Sequence, residues 1–145
     1  MKKILLLLTV SIVLTSCGQT TKKNNSTENK TTNSAVQQTA TIEKLDTKSF
    51  YNRVNGKKVQ LIDVRTPQEY VADHLQNADN INVFDANFVN QVEKKYKKEA
   101  PVYVYCRSGG RSMKAAQMLK SKGYHVVNLN GGFNGWTAQG LPSEK

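Results

Sequence analysis

The sequence predicts an α/β fold for residues 41–145, in which helices flank both faces of a parallel β-sheet. Three observations predict it. Short apolar runs of strand length recur along the chain, as in "VQLIDV" and "VYVY". Segments of helical periodicity separate these runs, and Gly or Pro marks several of the boundaries. Strands that alternate with helices form parallel sheets, because each crossover helix returns the chain to the same end of the sheet.

The first elements are predicted between residues 42 and 72. "IEKL" at 42–45 is predicted to be an edge strand, and 47–54 a helix. The apolar run at 59–64 has the length of a buried strand. Pro67 then indicates a helix at 67–72, since proline is favoured at early helix positions.

The middle of the chain continues the alternation. "NINV" at 80–83 is predicted to be a strand. Residues 85–99 are predicted to be a helix, because apolar side chains recur every four residues from Phe88 to Tyr96. Pro101 prevents that helix from continuing.

The last part repeats the pattern once more. "VYVY" at 102–105 is predicted to be a strand, followed by a helix at 111–122 that Gly123 ends. "HVVNLN" at 125–130 is the last predicted strand, and 133–139 a short helix. Ligands of such sheets bind beyond the carboxyl ends of the strands, which is where the segment after 102–105 lies.

The N-terminus has the layout of an exported protein. Lys2 and Lys3 precede an apolar run at 4–14, which is shorter than the roughly 20 residues that span a bilayer. We therefore predict a signal peptide at 1–16. The following "LTSC" resembles the lipobox of bacterial lipoproteins, which implies a lipid on Cys17. The protein is then exported and lipid-anchored to the cell envelope, facing the periplasm or the extracellular side. A buried N-terminal helix with an ordinary cysteine is the alternative.

Residues 17–40 are predicted to be the lipidated cysteine and a disordered tether, because Ala and Val are the only apolar residues between 18 and 40. Residues 41–145 form the predicted domain and carry 16 Lys and Arg against 10 Asp and Glu, a net charge of +6. This balance favours small anionic substrates or an anionic membrane surface. Nucleic acid is not expected, since no aromatic and basic stripe accompanies the charge.

If Cys17 carries a lipid, Cys106 has no disulfide partner, and a lone thiol in an exported protein indicates a reactive residue. A buried, inert cysteine is the alternative. The surrounding "CRSGGRS" favours reactivity, because a helix start, inward-turned N–H groups at the glycine pair and two arginines all stabilise a thiolate. We expect Arg107, Arg111 and the N–H groups, more than the helix dipole, to lower the thiol pKa.

The same loop resembles the active-site loop of the rhodanese family of sulfurtransferases, with cysteine first and arginine sixth. Three further segments resemble that family in the same order, namely "LIDVRTPQEY", "DHLQNADNINV" and "LNGGFNGWTAQGLP". The resemblance covers residues 41–143 and implies a single rhodanese-like domain. The chain departs from the family at three turn positions, where Asp73 and Asn77 stand for glycine and Asn82 for proline.

The resemblance implies a persulfide mechanism. Cys106 would take the outer sulfur of thiosulfate or another sulfane donor and pass it to cyanide or a thiol. The loop residues expected to bind the substrate and the persulfide are Arg107, Ser108, Gly109, Gly110, Arg111 and Ser112. Supporting roles are expected for Asp63 and Arg65, as an ion pair beside the site, and for Glu69, as a partner of Arg111.

Two other functions stay open at this point. The thiol could serve a sulfur carrier or redox-binding module that loads once and does not turn over. A cysteine phosphatase or arsenate reductase is a poorer match, because cysteine phosphatases place five residues between cysteine and arginine, and this loop has four. We expect His74 and His125 to be structural, Trp136 to lie in the core, and the protein to be a monomer without a metal or cofactor.

Overall fold

The structure, a computed structural model, describes residues 39–145 and has the predicted α/β architecture. The strands are β1 (Ile42–Leu45), β2 (Gln60–Asp63), β3 (His74–Leu75), β4 (Asp79–Asn80), β5 (Val102–Tyr105), β6 (Val126–Leu129) and β7 (Ser143–Glu144). The helices are α1 (Thr47–Val54), α2 (Pro67–Ala72), α3 (Phe88–Lys95), α4 (Gly110–Lys120) and α5 (Gly132–Ala138). No helix within residues 39–145 is long and apolar enough to cross a membrane.

Five strands form one parallel sheet in the order β1-β6-β5-β2-β4. Because successive strand residues face opposite sides, the sheet carries an apolar layer on each face. The layer that includes α3 and α4 contains Ile62, Val104, Val126, Val92 and Leu119. The layer that includes α1 and α5 contains Leu61, Tyr103, Val127, Phe50 and Trp136.

The functional edge of the sheet is set by strand register. Asp63 at the end of β2 lies opposite Tyr105 at the end of β5. Cys106 follows Tyr105 directly, and the glycine pair that begins with Gly131 follows β6. The carboxyl ends of the parallel strands therefore bring Asp63, Cys106 and this glycine pair to one edge.

Several predicted elements lose one or two residues in the structure, and two are about half as long as the sequence pattern indicates. The strand predicted at 80–83 is assigned only as β4, Asp79–Asn80, although Ile81 and Val83 still donate to the Asp63 and Val64 carbonyls at 3.0 and 3.2 Å. The helix predicted at 85–99 begins at Phe88, because residues 82–88 first form hydrogen-bonded turns.

The end of α3 is decided by a contact from another element. The Gln60 side chain accepts from the Lys97 N–H at 2.7 Å and donates to the Lys97 and Ala100 carbonyls at 2.9 and 3.0 Å. These bonds hold residues 97–100 outside the helix, which ends at Lys95.

A small second sheet was absent from the sequence prediction. In it β3 pairs antiparallel with β7, so that His74 lies opposite Glu144. The Glu144 carboxylate also accepts from the Asn77 N–H at 3.0 Å. Two-residue strands carry no periodic signal, and only the packed chain brings the C-terminal residues to this position.

Candidate active site

The loop between β5 and α4 holds Cys106 at its base. The residue is 1 % exposed, and its Sγ accepts from the Gly109 N–H at 3.2 Å. Gly109 is the N-cap residue of α4. Its φ is +105°, a backbone conformation that residues other than glycine rarely adopt. This backbone conformation turns the Gly109 N–H toward the sulfur. The sequence predicted it for both glycines of the pair, but Gly110 does not have a positive φ.

Burial by itself raises the pKa of the Cys106 thiol, because the thiolate loses its water. Hydrogen bonds outweigh that effect and leave the pKa below its ordinary value. The donors are the Ser112 hydroxyl and the backbone N–H groups of Ser112, Gly109 and Ser108. The sulfur is therefore held in a dry site that favours its negative form.

Ser112 was predicted as a loop residue, but the role of its hydroxyl as a donor to the sulfur was not predicted. It is fully buried in the first turn of α4, and its hydroxyl donates to the Gly109 carbonyl at 3.1 Å. A hydroxyl rotates about its C–O bond and can donate to only one acceptor at a time. A hydrogen bond from this hydroxyl to the sulfur lowers the pKa of the Cys106 thiol.

Arg111 forms a two-pronged ion pair with Glu69, at 2.6 Å from Nη1 to Oε2 and 2.7 Å from Nη2 to Oε1. This is the partner that the sequence analysis named. The pair, opposed by partial burial, lowers the pKa of Glu69 to about 2. Thr66 and Glu69 also form a capping box at the start of α2, and the "TPQE" spacing already indicates it.

The sequence predicted that the arginines and the loop N–H groups together lower the thiol pKa, and of these only the N–H groups are among its main causes. Arg111 directs both prongs of its guanidinium at Glu69, which is the main cause of its own raised pKa. The Cys106 thiolate contributes to that raised pKa only as a smaller, through-space charge. Arg107 is exposed, and its side chain makes no hydrogen bond or ion pair to another group within residues 39–145. The amide cradle and Ser112, rather than the guanidinium groups, are the principal groups that stabilise the thiolate.

Asp63 and Arg65 form the ion pair that the sequence analysis expected beside the site. Arg65 Nη2 lies 2.6 Å from Asp63 Oδ2, and both side chains are buried. The same Nη2 donates to the Asp73 carbonyl at 2.7 Å. The guanidinium also lies over the Phe133 ring, 4.3 Å from its centroid. The pair thus joins the end of β2 to the residues after α2 and to α5.

The first turn of α5 holds the loop from the side opposite α4. The N–H groups of Phe133 and Asn134 donate to the carbonyls of Cys106 and Arg107 at 2.8 and 2.9 Å. Gly132 permits this approach, because a Cβ there would overlap the Cys106 carbonyl oxygen and lie 2.8 Å from the Arg107 carbonyl. The sequence predicts only that Gly131 and Gly132 turn the chain, and the contact of α5 with the loop is seen only in the structure.

The remaining residues named from the sequence have structural contacts. His74 Nδ1 donates to the Tyr70 carbonyl at 3.0 Å, and its ring stacks on Tyr70. His125 hydrogen-bonds the Thr41 hydroxyl. Trp136 is 3 % exposed in the core, which confirms that prediction. Cys17 and the predicted tether up to residue 38 lie outside the described residues.

Comparison with known proteins agrees with this geometry. The Rhodanese-like domain family matches residues 46–139. "Thiosulfate sulfurtransferase GlpE" of Vibrio cholerae is 32 % identical over 102 residues, which cover 69 % of this chain and 92 % of that protein. "Protein HIGH ARSENIC CONTENT 1, mitochondrial" of Arabidopsis thaliana is 30 % identical over 146 residues, covering 91 % and 86 %.

A solved structure supports the same assignment. The crystal structure of a rhodanese-like domain protein from Staphylococcus aureus has a TM-score of 0.60 and 28 % identity, covering 71 % of this chain and 99 % of that one. The family match spans more than half of the chain and includes the loop and both supporting ion pairs. The chain therefore belongs to the rhodanese-like domain family.

Proposed function

We propose that this protein is a sulfurtransferase that moves sulfane sulfur from thiosulfate or a related anion to cyanide or a thiol. The observation that carries the proposal is the buried Cys106 sulfur with its lowered pKa inside a cradle of backbone N–H groups. A thiolate is the nucleophilic form of cysteine, and the same donors suit a persulfide anion. The resemblance of the chain to a thiosulfate sulfurtransferase supports the donor.

The proposed reaction has two steps. The Cys106 thiolate attacks the outer sulfur of thiosulfate, a new S–S bond forms, and sulfite leaves with the electron pair of the broken S–S bond. Cyanide or a thiolate then attacks the outer sulfur of the persulfide. The S–S bond between Cys106 Sγ and the outer sulfur breaks, and its electron pair returns to Sγ. The product leaves as thiocyanate or as a new persulfide. The net charge of the domain, +6, and the exposed Arg107 favour the approach of anionic donors.

Intact mass measurement tests the proposal. The purified protein is incubated with thiosulfate, freed of excess and weighed. We expect a gain of one sulfur atom that cyanide or dithiothreitol removes and that Cys106→Ser does not show. An unchanged mass of the wild-type protein would contradict the proposal. A protein that loads once but fails to turn over with free acceptors is instead a sulfur carrier.

An oxyanion reductase or phosphatase is a second candidate, because the Arabidopsis relative is named for arsenic content. The loop geometry favours it less. Four residues separate Cys106 from Arg111, and the Arg111 guanidinium is bound to Glu69 rather than directed at an oxyanion in the loop. Arsenate reduction and release of phosphate from an aryl ester, measured beside thiocyanate formation, separate these activities.

We also propose that the protein is exported and anchored by a lipid on Cys17. The support is the sequence alone, namely two lysines, a short apolar run and "LTSC". A tether between residues 17 and 41 would then separate the active site from the membrane.

A further inference from the structure

A pocket of about 220 Å³ borders the loop that carries Cys106. Its lining includes the apolar residues Ala72 and Phe133 and the polar residues Asp73, Arg107 and Asn134. Typical pockets for drug-sized ligands have ~300–1,000 Å³, so this one suits a molecule the size of an amino acid or dipeptide.

The pocket is attached directly to the reacting segment. Arg107 is the residue after Cys106. The N–H groups of Phe133 and Asn134 donate to the carbonyls of Cys106 and Arg107 at 2.8 and 2.9 Å. A ligand in the pocket would therefore lie beside the loop from which the persulfide projects, with its outer sulfur one S–S bond of about 2.05 Å beyond Sγ.

The charges around the pocket fall into two groups. Arg65 is neutralised by Asp63 and also binds the Asp73 carbonyl, and Glu69 is neutralised by Arg111. The Asp73 carboxylate and the Arg107 guanidinium, by contrast, have no hydrogen-bond or ion-pair partner among residues 39–145. One carboxylate and one guanidinium without a partner among the described residues thus line a small pocket whose other charges are paired.

We propose that this pocket binds the sulfur acceptor and that the acceptor is a zwitterionic aminothiol. This inference rests on the proposed function. Its ammonium group would face Asp73, its carboxylate would face Arg107, and its carbon chain would lie on Phe133. A simple inorganic donor such as thiosulfate has no group for Asp73 to bind. The opposite charges therefore suit the acceptor rather than the donor.

The transfer step balances without an added oxidant or reductant. The acceptor thiolate attacks the outer sulfur of the Cys106 persulfide and forms a new S–S bond. The S–S bond to Cys106 breaks, its electron pair returns to Sγ, and the product leaves as the persulfide of the aminothiol. The N–H donors around Sγ stabilise the returning negative charge.

The test uses four thiols against the thiosulfate-loaded protein. Cysteine carries both an ammonium and a carboxylate group. Cysteamine carries only the ammonium, 3-mercaptopropionate only the carboxylate, and 2-mercaptoethanol neither. Rates are compared at equal thiolate concentration. We expect kcat/KM to be about tenfold higher for each charged group present, the size of one charge-assisted hydrogen bond.

Asp73→Asn should remove the advantage of cysteamine over 2-mercaptoethanol and keep that of 3-mercaptopropionate. Asp85→Asn, which changes an exposed carboxylate outside the pocket, should keep both. Equal kcat/KM for the four thiols with the wild-type protein would overturn this inference, whatever the fold of the variants. An advantage of cysteamine that persists in folded Asp73→Asn would overturn it as well.

Sulfur loading, measured by mass before any acceptor is added, separates the two proposals. Failure of the wild-type protein to load would overturn the proposed function and this inference together. Normal loading followed by no discrimination among the thiols would overturn this inference alone.

Discussion

Cys106 combines burial, which favours a neutral thiol, with hydrogen-bond donors that favour a thiolate. Three of the four donors are backbone N–H groups, which substitution by alanine keeps, and the fourth is the Ser112 hydroxyl. Ser112→Ala should therefore raise the thiol pKa and lower its alkylation rate at pH 7 about tenfold, the loss of one hydrogen bond to a charged group. The pH dependence of iodoacetamide alkylation measures the effect.

Ser108→Ala is the matched control. Ser108 stabilises the thiolate through its backbone N–H, which alanine keeps. An alkylation profile of Ser108→Ala equal to that of the wild type, beside a shifted one for Ser112→Ala, is the expected result. If Ser112→Ala keeps the wild-type profile, the hydroxyl has no part in thiolate stabilisation.

Glu69 contributes stability that depends on pH. Its pKa is about 2 in the folded protein against an ordinary value of 4.5, so the contribution is present above pH 4.5 and is lost as the pH falls toward 2. Glu69→Gln should reduce the free energy of unfolding at pH 7 by about 1–2 kcal/mol, after allowance for partial solvent exposure. Urea unfolding at several pH values measures the difference from wild type, which should shrink below pH 4.5.

Glu93→Gln serves as the control for that experiment. Glu93 pairs with Lys98 at 3.5 Å, but these side chains are 35 % and 48 % exposed. Exposed pairs contribute about 0–1 kcal/mol, so this variant should differ little from wild type at any pH. A Glu69→Gln difference that stays constant from pH 7 to pH 3 would rule out the ion pair as its source.

At the scale of elements, the loop is held between α4, which directs amides at the sulfur, and the first turn of α5, which binds the loop carbonyls. Gly132 has φ +59° and faces the Cys106 and Arg107 carbonyls. Gly132→Ala should displace the loop and lower the rate of sulfur transfer at least tenfold, since small misplacements of a reacting group are costly. Thiocyanate formation measures the rate, and thermal unfolding confirms that the variant is folded.

Gly140→Ala separates backbone strain from steric overlap. Gly140 has a similar φ of +64°, but nothing lies within 4 Å of its added Cβ. The strain of a positive φ costs about 1–3 kcal/mol in either variant. Gly140→Ala should therefore lose stability and keep the wild-type rate. Equal losses of rate in the two variants would show that strain, and not the close approach of α5, is responsible.

For the whole molecule, the proposed anchor lies outside the described residues and is tested on the full chain. Cells that express the protein are fed an alkyne-labelled fatty acid, and the purified chain is examined for label. We expect label on the wild type and on Cys106→Ser, and none on Cys17→Ala, because Cys17 is the proposed attachment site. Label that persists in Cys17→Ala would place the lipid elsewhere, and an unlabelled wild type would contradict the anchor.

The sequence by itself determined the alternation of strands and helices, the position of Cys106 at the carboxyl edge of the sheet and the glycine conformation beside it. Each of these depends on local periodicity or on neighbouring residues. The family resemblance, not the spacing, supplied the pairing of Glu69 with Arg111, which are 42 residues apart.

Only the tertiary structure decided which groups stabilise the sulfur and where several elements end. Of the groups predicted to stabilise the thiolate, the N–H groups do so, the Ser112 hydroxyl is added to them, and Arg111 is instead bound to Glu69. Hydrogen bonds from Gln60 keep the residues after Lys95 out of α3. Gly132 lets the first turn of α5 approach the loop carbonyls closely. These outcomes depend on contacts between segments that are distant along the chain, and such contacts exist only once both faces of the sheet are packed.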